Sequence, residues 1–175
     1  MGELEAQAPA RFLPPTTSSN LPGSRLLEQA DKIFFCGDLN YRIDMPREEV
    51  ETTVMNMKAS LNQQVKKELR DRLMRHDQLR ESMSLERAFP RFSEGEIDFP
   101  PTFKFDKGTN EYDTSHKQRV PAWTDRILFK GEGIHALEYD SILTSQHSDH
   151  RPVSGTFQVE MLGKLLSRGK KRRRT

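Results

Sequence analysis

Apolar positions do not organise until residue 33. Residues 1–30 carry Pro9, Pro14, Pro15 and Pro22 around Thr16-Thr17-Ser18-Ser19-Asn20, with no period of 2 or 3.6. That composition predicts loop or disorder, with at most a turn of helix at Leu26–Ala30. Ile33-Phe34-Phe35-Cys36 is then a short β-favouring run closed by Gly37, the pattern of a buried strand. Pro46 opens a helix, with Asp44 as its expected N-cap and Glu48, Glu49 and Glu51 at its positive end. Val50, Val54 and Met57 follow at helical spacing. A second helix is predicted over about Leu61–Leu79, with Leu61, Val65, Leu69, Leu73 and Met74 on one face. Its alternating charges, from Lys66 to Arg80, read as a solvated face. From Phe89 the helical period fails. Phe89, Phe92, Phe99, Phe103 and Phe105 lie among Pro90, Gly95, Pro100 and Pro101, which predicts loop with short strands. Arg126–Lys130, about His135–Leu143 and Val153–Val159 read as further strands, and Gly163–Thr175 as a flexible basic arm. Strand, helix, helix, long loop, strands is the order of an α/β or α+β domain with helices covering a sheet.

Charge and composition narrow the function classes. Lys+Arg number 28 and Asp+Glu 26, a net charge of +2, so bulk charge does not drive nucleic-acid binding, although a local basic site remains open. Cys36 is the single cysteine, which excludes an intramolecular disulfide and a cysteine-based zinc cage. No apolar run approaches the ~18 residues of a membrane span. Met1–Glu5 shows no basic region leading into an apolar stretch, so no secretory signal is expected.

Three clusters carry residues suited to chemistry. In Gly37-Asp38-Leu39-Asn40-Tyr41-Arg42, Asp38 and Asn40 share a face if the chain stays extended; the alternative is an Asx-type turn. A carboxylate there could orient and deprotonate water, and an amide could donate to an anionic oxygen. In Arg119–Arg126 the lone Trp123 reads as packing, and Asp125 equally as an ion-pair partner of Arg126. In His147-Ser148-Asp149-His150-Arg151-Pro152, an Asp-His pair precedes a strand: either a metal-ligating carboxylate beside a phosphate-binding imidazole, or a surface pair.

Together these clusters resemble the inositol polyphosphate 5-phosphatases. Phe35–Arg42 is similar to the first family signature, aromatic-x-Gly-Asp-x-Asn-aromatic-Arg, and Arg119–Leu128 to the second, Arg-x-Pro-Ala-Trp-Thr-Asp-Arg-Ile-Leu. Pro101–Asp106 and Tyr112–Lys117 resemble the intervening blocks, and Ser148–Val153 the closing Ser-Asp-His-Arg-Pro-Val. The likeness runs from about Lys32 to Glu160. It implies the endonuclease/exonuclease/phosphatase fold, a four-layer α/β/β/α sandwich, of which this chain resembles the C-terminal half. The expected organisation is a loop-rich segment 1–30, the half-domain 31–160 and a basic tail 161–175.

The resemblance further implies a phosphoric monoester hydrolase that removes the 5-phosphate of phosphoinositides or inositol polyphosphates with Mg²⁺. Asp38 would activate the attacking water and Asn40 would hold it or a phosphate oxygen. His150 would contact the scissile phosphate, and Asp125 would fix the tautomer of His150. Asp149 would sit beside the metal. Tyr112, Lys117 and Arg119, with Lys104, resemble the clamp on the neighbouring 4-phosphate. Expected partners are a lipid head group or a soluble inositol polyphosphate and a peripheral membrane surface in the cytoplasm, with no nucleic acid. Half a sandwich implies an open sheet face, hence self-association and little activity of the 175 residues alone. Two alternatives compete: a non-catalytic phosphoinositide-binding fragment, and a nuclease of the same fold.

Overall fold

The computed structural model describes residues 29–161. The expectations for residues 1–28 and for the basic tail lie outside them. Among the described residues, five strands form two antiparallel sheets. In the first, β1 (Ile33–Asp38) and β2 (Ser93–Glu94) flank β3 (Asp125–Lys130). In the second, β4 (Ile134–Ser141) pairs with β5 (Val153–Val159). The β1–β3 register runs from Ile33 opposite Lys130 to Asp38 opposite Asp125. Two carboxylates from distant parts of the chain therefore end side by side at one edge of the sheet.

Helix α1 (Arg47–Ala59) buries Val50, Thr53, Val54 and Met57, the expected stripe plus one threonine. Thr53 satisfies its hydroxyl on the Glu49 carbonyl at 2.7 Å. The N-cap is not Asp44 but Pro46, which makes no side-chain cap bond. Asp44 is held elsewhere: its backbone N–H donates to the His76 carbonyl and its carboxylate accepts from Gln78 Nε2 at 2.7 Å.

The long second helix is two helices. α2 (Gln63–Met74) starts at Asn62, whose side chain accepts from the backbone of Gln64 and Val65, and α3 (Gln78–Ser84) starts at Asp77, which accepts from Arg80 N. The break has a tertiary cause. Asp77 is fully buried and its carboxylate is bonded to Arg126 of β3, so the chain must leave the helix to aim it inward. The expected apolar face shrinks accordingly. Leu73 and Met74 are buried, whereas Leu61, ahead of α2, is 96% exposed and Val65 is exposed.

The core lies between α1, α2 and the loops around Phe99 and Trp123. Trp123 is fully buried, as its packing role requires, and donates from Nε1 to the Phe99 carbonyl at 3.1 Å. β1 is only partly covered on both faces: Phe34, which packs on Phe157, is 44% exposed and Phe35, which packs on Phe89 on the opposite side of the strand, 39%. Phe34 and Phe129 meet Phe157 of β5 edge-on, so aromatic rings tie the two sheets together. No helix among the described residues is long and apolar enough to cross a membrane.

Candidate active site

The polar cluster forms where β1 and β3 begin to separate. Gly37 has φ +143°, a conformation that favours glycine, and it turns β1 into the segment carrying Asp38 and Asn40. That segment is not extended. Asn40 adopts φ 58° and its backbone N–H donates to Asp38 Oδ1 at 2.9 Å, so the Asx-type turn is what forms. Arg42 then bonds both oxygens of Asn40, from Nε to the main-chain carbonyl at 3.2 Å and from Nη2 to Oδ1. With its oxygens engaged, Asn40 keeps its amide donors for another acceptor.

His150 faces this turn. Its Nδ1 lies 2.6 Å from Asp125 Oδ2, and Thr124 Oγ1 donates to the same carboxylate oxygen at 2.9 Å. Arg126 takes no part, so Asp125 belongs to the histidine and not to its neighbouring arginine. The Asp125 bond places the Nδ1 proton toward the carboxylate and leaves Nε2 for a ligand. It also raises the His150 pKa; burial opposes the rise, while the charges of Asp125, Asp38 and Asp149 add to it. Asp125 is held below its ordinary value: burial would raise it, but bonds from His150 and Thr124 outweigh that.

Phe103 is the hub that holds these parts together. Its backbone bridges both Ala122 and His150, its ring centroid lies 4.6 Å from that of the imidazole, and the Arg42 guanidinium sits 4.4 Å over the same ring. Burial, then repulsion from Arg119, lowers the Arg42 pKa, with Asp38 opposing. An anion between Arg42 and Arg119 would relieve their mutual repulsion. Sequence reasoning placed Arg42 inside the first signature but gave it no role. Its two-residue spacing from Asn40 was the available signal.

Of the four residues expected to read a second phosphate, Lys104 and the backbone of Arg119 both meet Asp113. Lys117 and Arg119 are exposed on the loop beyond Tyr112, and Arg119 is close enough to Arg42 to be felt. Lys104 Nζ lies 3.8 Å from Asp113 Oδ1. Tyr112 donates its hydroxyl to the Pro101 carbonyl at 2.9 Å and stacks on Phe105, so its proton is committed inside the fold. Asp149 accepts from Ser148 Oγ at 3.4 Å, and its carbonyl takes the Phe105 N–H.

Among the described residues, no group of three or more His, Cys, Asp or Glu side chains gathers as a metal site. Asp38 and Asp149, which both act on His150, nonetheless fit Mg²⁺ chemically. That ion takes one or two carboxylates and fills its remaining positions with water and phosphate oxygens.

Asp113, which the sequence reading left without a function, organises the cationic loop. It is fully buried and accepts from the backbone N–H of Ser115 at 3.1 Å and of Arg119 at 2.9 Å. Burial would raise its pKa, but these bonds and the Lys104 charge prevail and hold it down to about 2. A depressed carboxyl stabilises the fold above its unfolded pKa and loses that contribution as pH falls through the folded one. The Ser115 and Arg119 amide protons should therefore titrate together near that low value, and the titration should vanish in Asp113→Asn. A midpoint at the ordinary carboxylate pKa would contradict this account. Asp113→Ala should loosen the loop by about 1–3 kcal/mol, the usual cost of an orphaned buried donor.

Comparison with known proteins gives the family and the fold. Residues 10–156 match Endonuclease/Exonuclease/phosphatase family 2. The chain is 44% identical over 135 residues to the phosphatidylinositol 4,5-bisphosphate 5-phosphatase INP51 of Saccharomyces cerevisiae, covering 77% of this chain and 13% of that protein. It is 41% identical over 133 residues to the type II inositol 1,4,5-trisphosphate 5-phosphatase of Mus musculus, covering 76% of this chain and 12% of that one. It thus spans about an eighth of these relatives. Among solved structures it resembles the inositol polyphosphate 5-phosphatase domain of SpSynaptojanin in complex with inositol (1,4)-bisphosphate and calcium ion. The TM-score is 0.66 at 43% identity, over 75% of this chain and 35% of that domain. A Cimex nitrophorin in a ferrous NO complex also matches, with TM-score 0.63 and 32% identity, over 75% of this chain and 43% of that one. Likeness of fold therefore leaves the chemistry to the site.

Proposed function

This chain belongs to endonuclease/exonuclease/phosphatase family 2, on its inositol polyphosphate 5-phosphatase side, and from that premise we propose that it carries the phosphate-binding and proton-handling part of a 5-phosphate hydrolase. The observation that supports this most is the Asp125–His150 bond of 2.6 Å, set beside Asp38 by the β1–β3 register. In the nitrophorin comparison the fold is shared; in this chain an oriented imidazole, a carboxylate and an amide lie together, which suits hydrolysis.

In this reading Asp38 orients a water and takes its proton, while its own position is fixed by the Asn40 N–H. The Asn40 amide donates to that water or to a phosphate oxygen. His150, its affinity for a proton increased by the bond to Asp125, donates from Nε2 to the phosphate as charge grows on it. Arg42 adds a fixed positive charge stacked on Phe103. Asp149, with Asp38, would hold Mg²⁺, which when bound neutralises charge on phosphate oxygens. Lys117, Arg119 and Lys104 would read a neighbouring phosphate, with Tyr112 supporting their loop through Pro101. The substrate class is a phosphoinositide head group at a cytoplasmic membrane surface or a soluble inositol polyphosphate.

The test is phosphate release from dioctanoyl phosphatidylinositol 4,5-bisphosphate and from inositol 1,4,5-trisphosphate, with and without Mg²⁺. The chain covers 35% of the matched phosphatase domain. Alone, it is expected to stay well below ordinary turnover of ~1–10³ s⁻¹. A hybrid in which residues 29–161 replace their counterpart in that domain should turn over and leave the 4-phosphate in place. A folded hybrid that releases no phosphate, or that removes the 4-phosphate first, would overturn the proposal.

A further inference from the structure

A second basic site lies outside the catalytic cluster. Between the end of α1, the start of α2 and the loop through Pro100 and Phe105 is a cavity of about 450 Å³, within the ~300–1,000 Å³ usual for small-molecule sites. Met57, Pro100, Phe105 and Leu143 give it an apolar floor, and Lys58, Lys66 and Arg70 supply cations. One carboxylate, Asp98, lines it, and that group is already ion-paired with Arg70. Among the described residues, neither Lys58 nor Lys66 pairs with a carboxylate.

The ground beneath the cavity is also positive. Lys58 Nζ sits 5.0 Å over the Tyr112 ring, Tyr112 stacks on Phe105, and the guanidinium of Arg151 lies 4.0 Å over Phe105. Arg151 is fully buried. It donates to the carbonyls of Ser148 and Thr109, but its Nε has no partner and no carboxylate pairs with it among the described residues. Burial, then repulsion from Arg151, lowers the Lys58 pKa. Such an array, with one lining carboxylate among several cations and with aromatic and aliphatic neighbours, favours an added anion.

We infer that this cavity is a binding site for an alkyl or aryl phosphate monoester, with the phosphate between Lys58 and Lys66 and the apolar body on Met57, Pro100, Phe105 and Leu143. The charge count favours this ligand. Two unpaired ammoniums match a phosphate monoester, which carries about −1.5 to −2 at neutral pH. A carboxylate would neutralise one of them, and an inositol polyphosphate would place hydroxyls and further charge against the apolar floor. A lipid of the phosphatidic acid kind and a soluble aryl phosphate share this chemistry.

Calorimetric titration of the 175-residue chain tests it with dihexanoyl phosphatidic acid below its micellar concentration, phenyl phosphate, inorganic phosphate and dihexanoylglycerol. The first two should bind more tightly than inorganic phosphate, and the uncharged glyceride should not bind. Tighter binding of the lipid would identify a lipid source, and tighter binding of phenyl phosphate a soluble one. Lys58→Met with Lys66→Met should weaken binding at least about tenfold, a loss of about 1.4 kcal/mol. His150→Ala with Arg119→Ala should leave it within about twofold, because those residues belong to the other site. Should the lysine variant fail to fold by circular dichroism, Leu143→Glu, which adds a negative charge at an exposed lining residue, should weaken binding similarly. The inference is overturned if the glyceride binds as well as the phosphates, or if none of the four binds. It is equally overturned if the histidine variant abolishes binding while the lysine variant or Leu143→Glu retains it.

Discussion

His150→Ala and Asp38→Ala, introduced separately into the active hybrid domain, are each expected to lower kcat by about 10²–10³-fold with little change in thermal stability. His150 packs on the Phe103 ring at the rim of the core, with its Nδ1 3.3 Å from the buried Thr124 hydroxyl, and Asp38 is exposed, so neither deletion removes an apolar core side chain. Both remove a group placed to act on the phosphate or on its attacking water. Asp125→Asn separates a chemical role from a structural one. The amide cannot stabilise an imidazolium, so the elevated His150 pKa should fall. The alkaline limb of the pH–rate profile should then move to lower pH, because a proton that His150 holds up to a raised pKa is lost earlier once that pKa drops. A kcat within about twofold of the parent for Asp38→Ala, or an unmoved alkaline limb for Asp125→Asn, would refute the assignment.

Loss of Asp77 is expected to destabilise the fold by about 3–5 kcal/mol, read from the urea midpoint at constant m. Arg126 and Asp77 are fully buried, and Glu94 nearly so. Arg126 Nη1 bonds both Asp77 oxygens at 3.1 and 2.9 Å, its Nε and Nη2 reach Glu94 at 2.6 and 2.7 Å, and Tyr139 donates its hydroxyl to Glu94 at 2.9 Å. Burial by itself disfavours the Arg126 charge, yet the two carboxylates reverse that and raise its pKa. Asp77→Ala strands part of this charge in the core and removes the cap of α3 as well. Replacing Arg126, Asp77 and Glu94 together by apolar residues leaves no stranded charge and should cost less than Asp77→Ala alone. As a contrast, Asp98→Ala breaks an ion pair whose acid is 74% exposed, so its effect should stay within about 1 kcal/mol. Equal costs for Asp77→Ala and Asp98→Ala would show that the buried network contributes no more than a surface pair.

These two predictions rest on different kinds of legibility. The strands at 33–38, 125–130 and 153–159 were readable because β-branched and aromatic runs closed by glycine or proline are local signals. The α1 stripe was readable because its period is set by one turn of helix. The ordered motifs were legible too, and with them the identities of Asp38, Asn40, Asp125, Asp149 and His150. No local rule, however, could pair Asp125 with His150 rather than with adjacent Arg126. That choice depends on a contact 25 residues away, and on Asp77 and Glu94 having already claimed the arginine. The same claim broke the long helix at Asp77, where local periodicity favoured continuation but a buried cation required its counter-charge. The Asp38–Asn40 turn and the bond of the Tyr112 hydroxyl to Pro101 have a like cause, since each was decided by which neighbour supplied the nearest partner. By itself, then, the sequence determined the elements and the chemical groups. The tertiary structure decided which group serves which, because a buried charge or donor takes its partner from whatever packs against it, however far along the chain that lies.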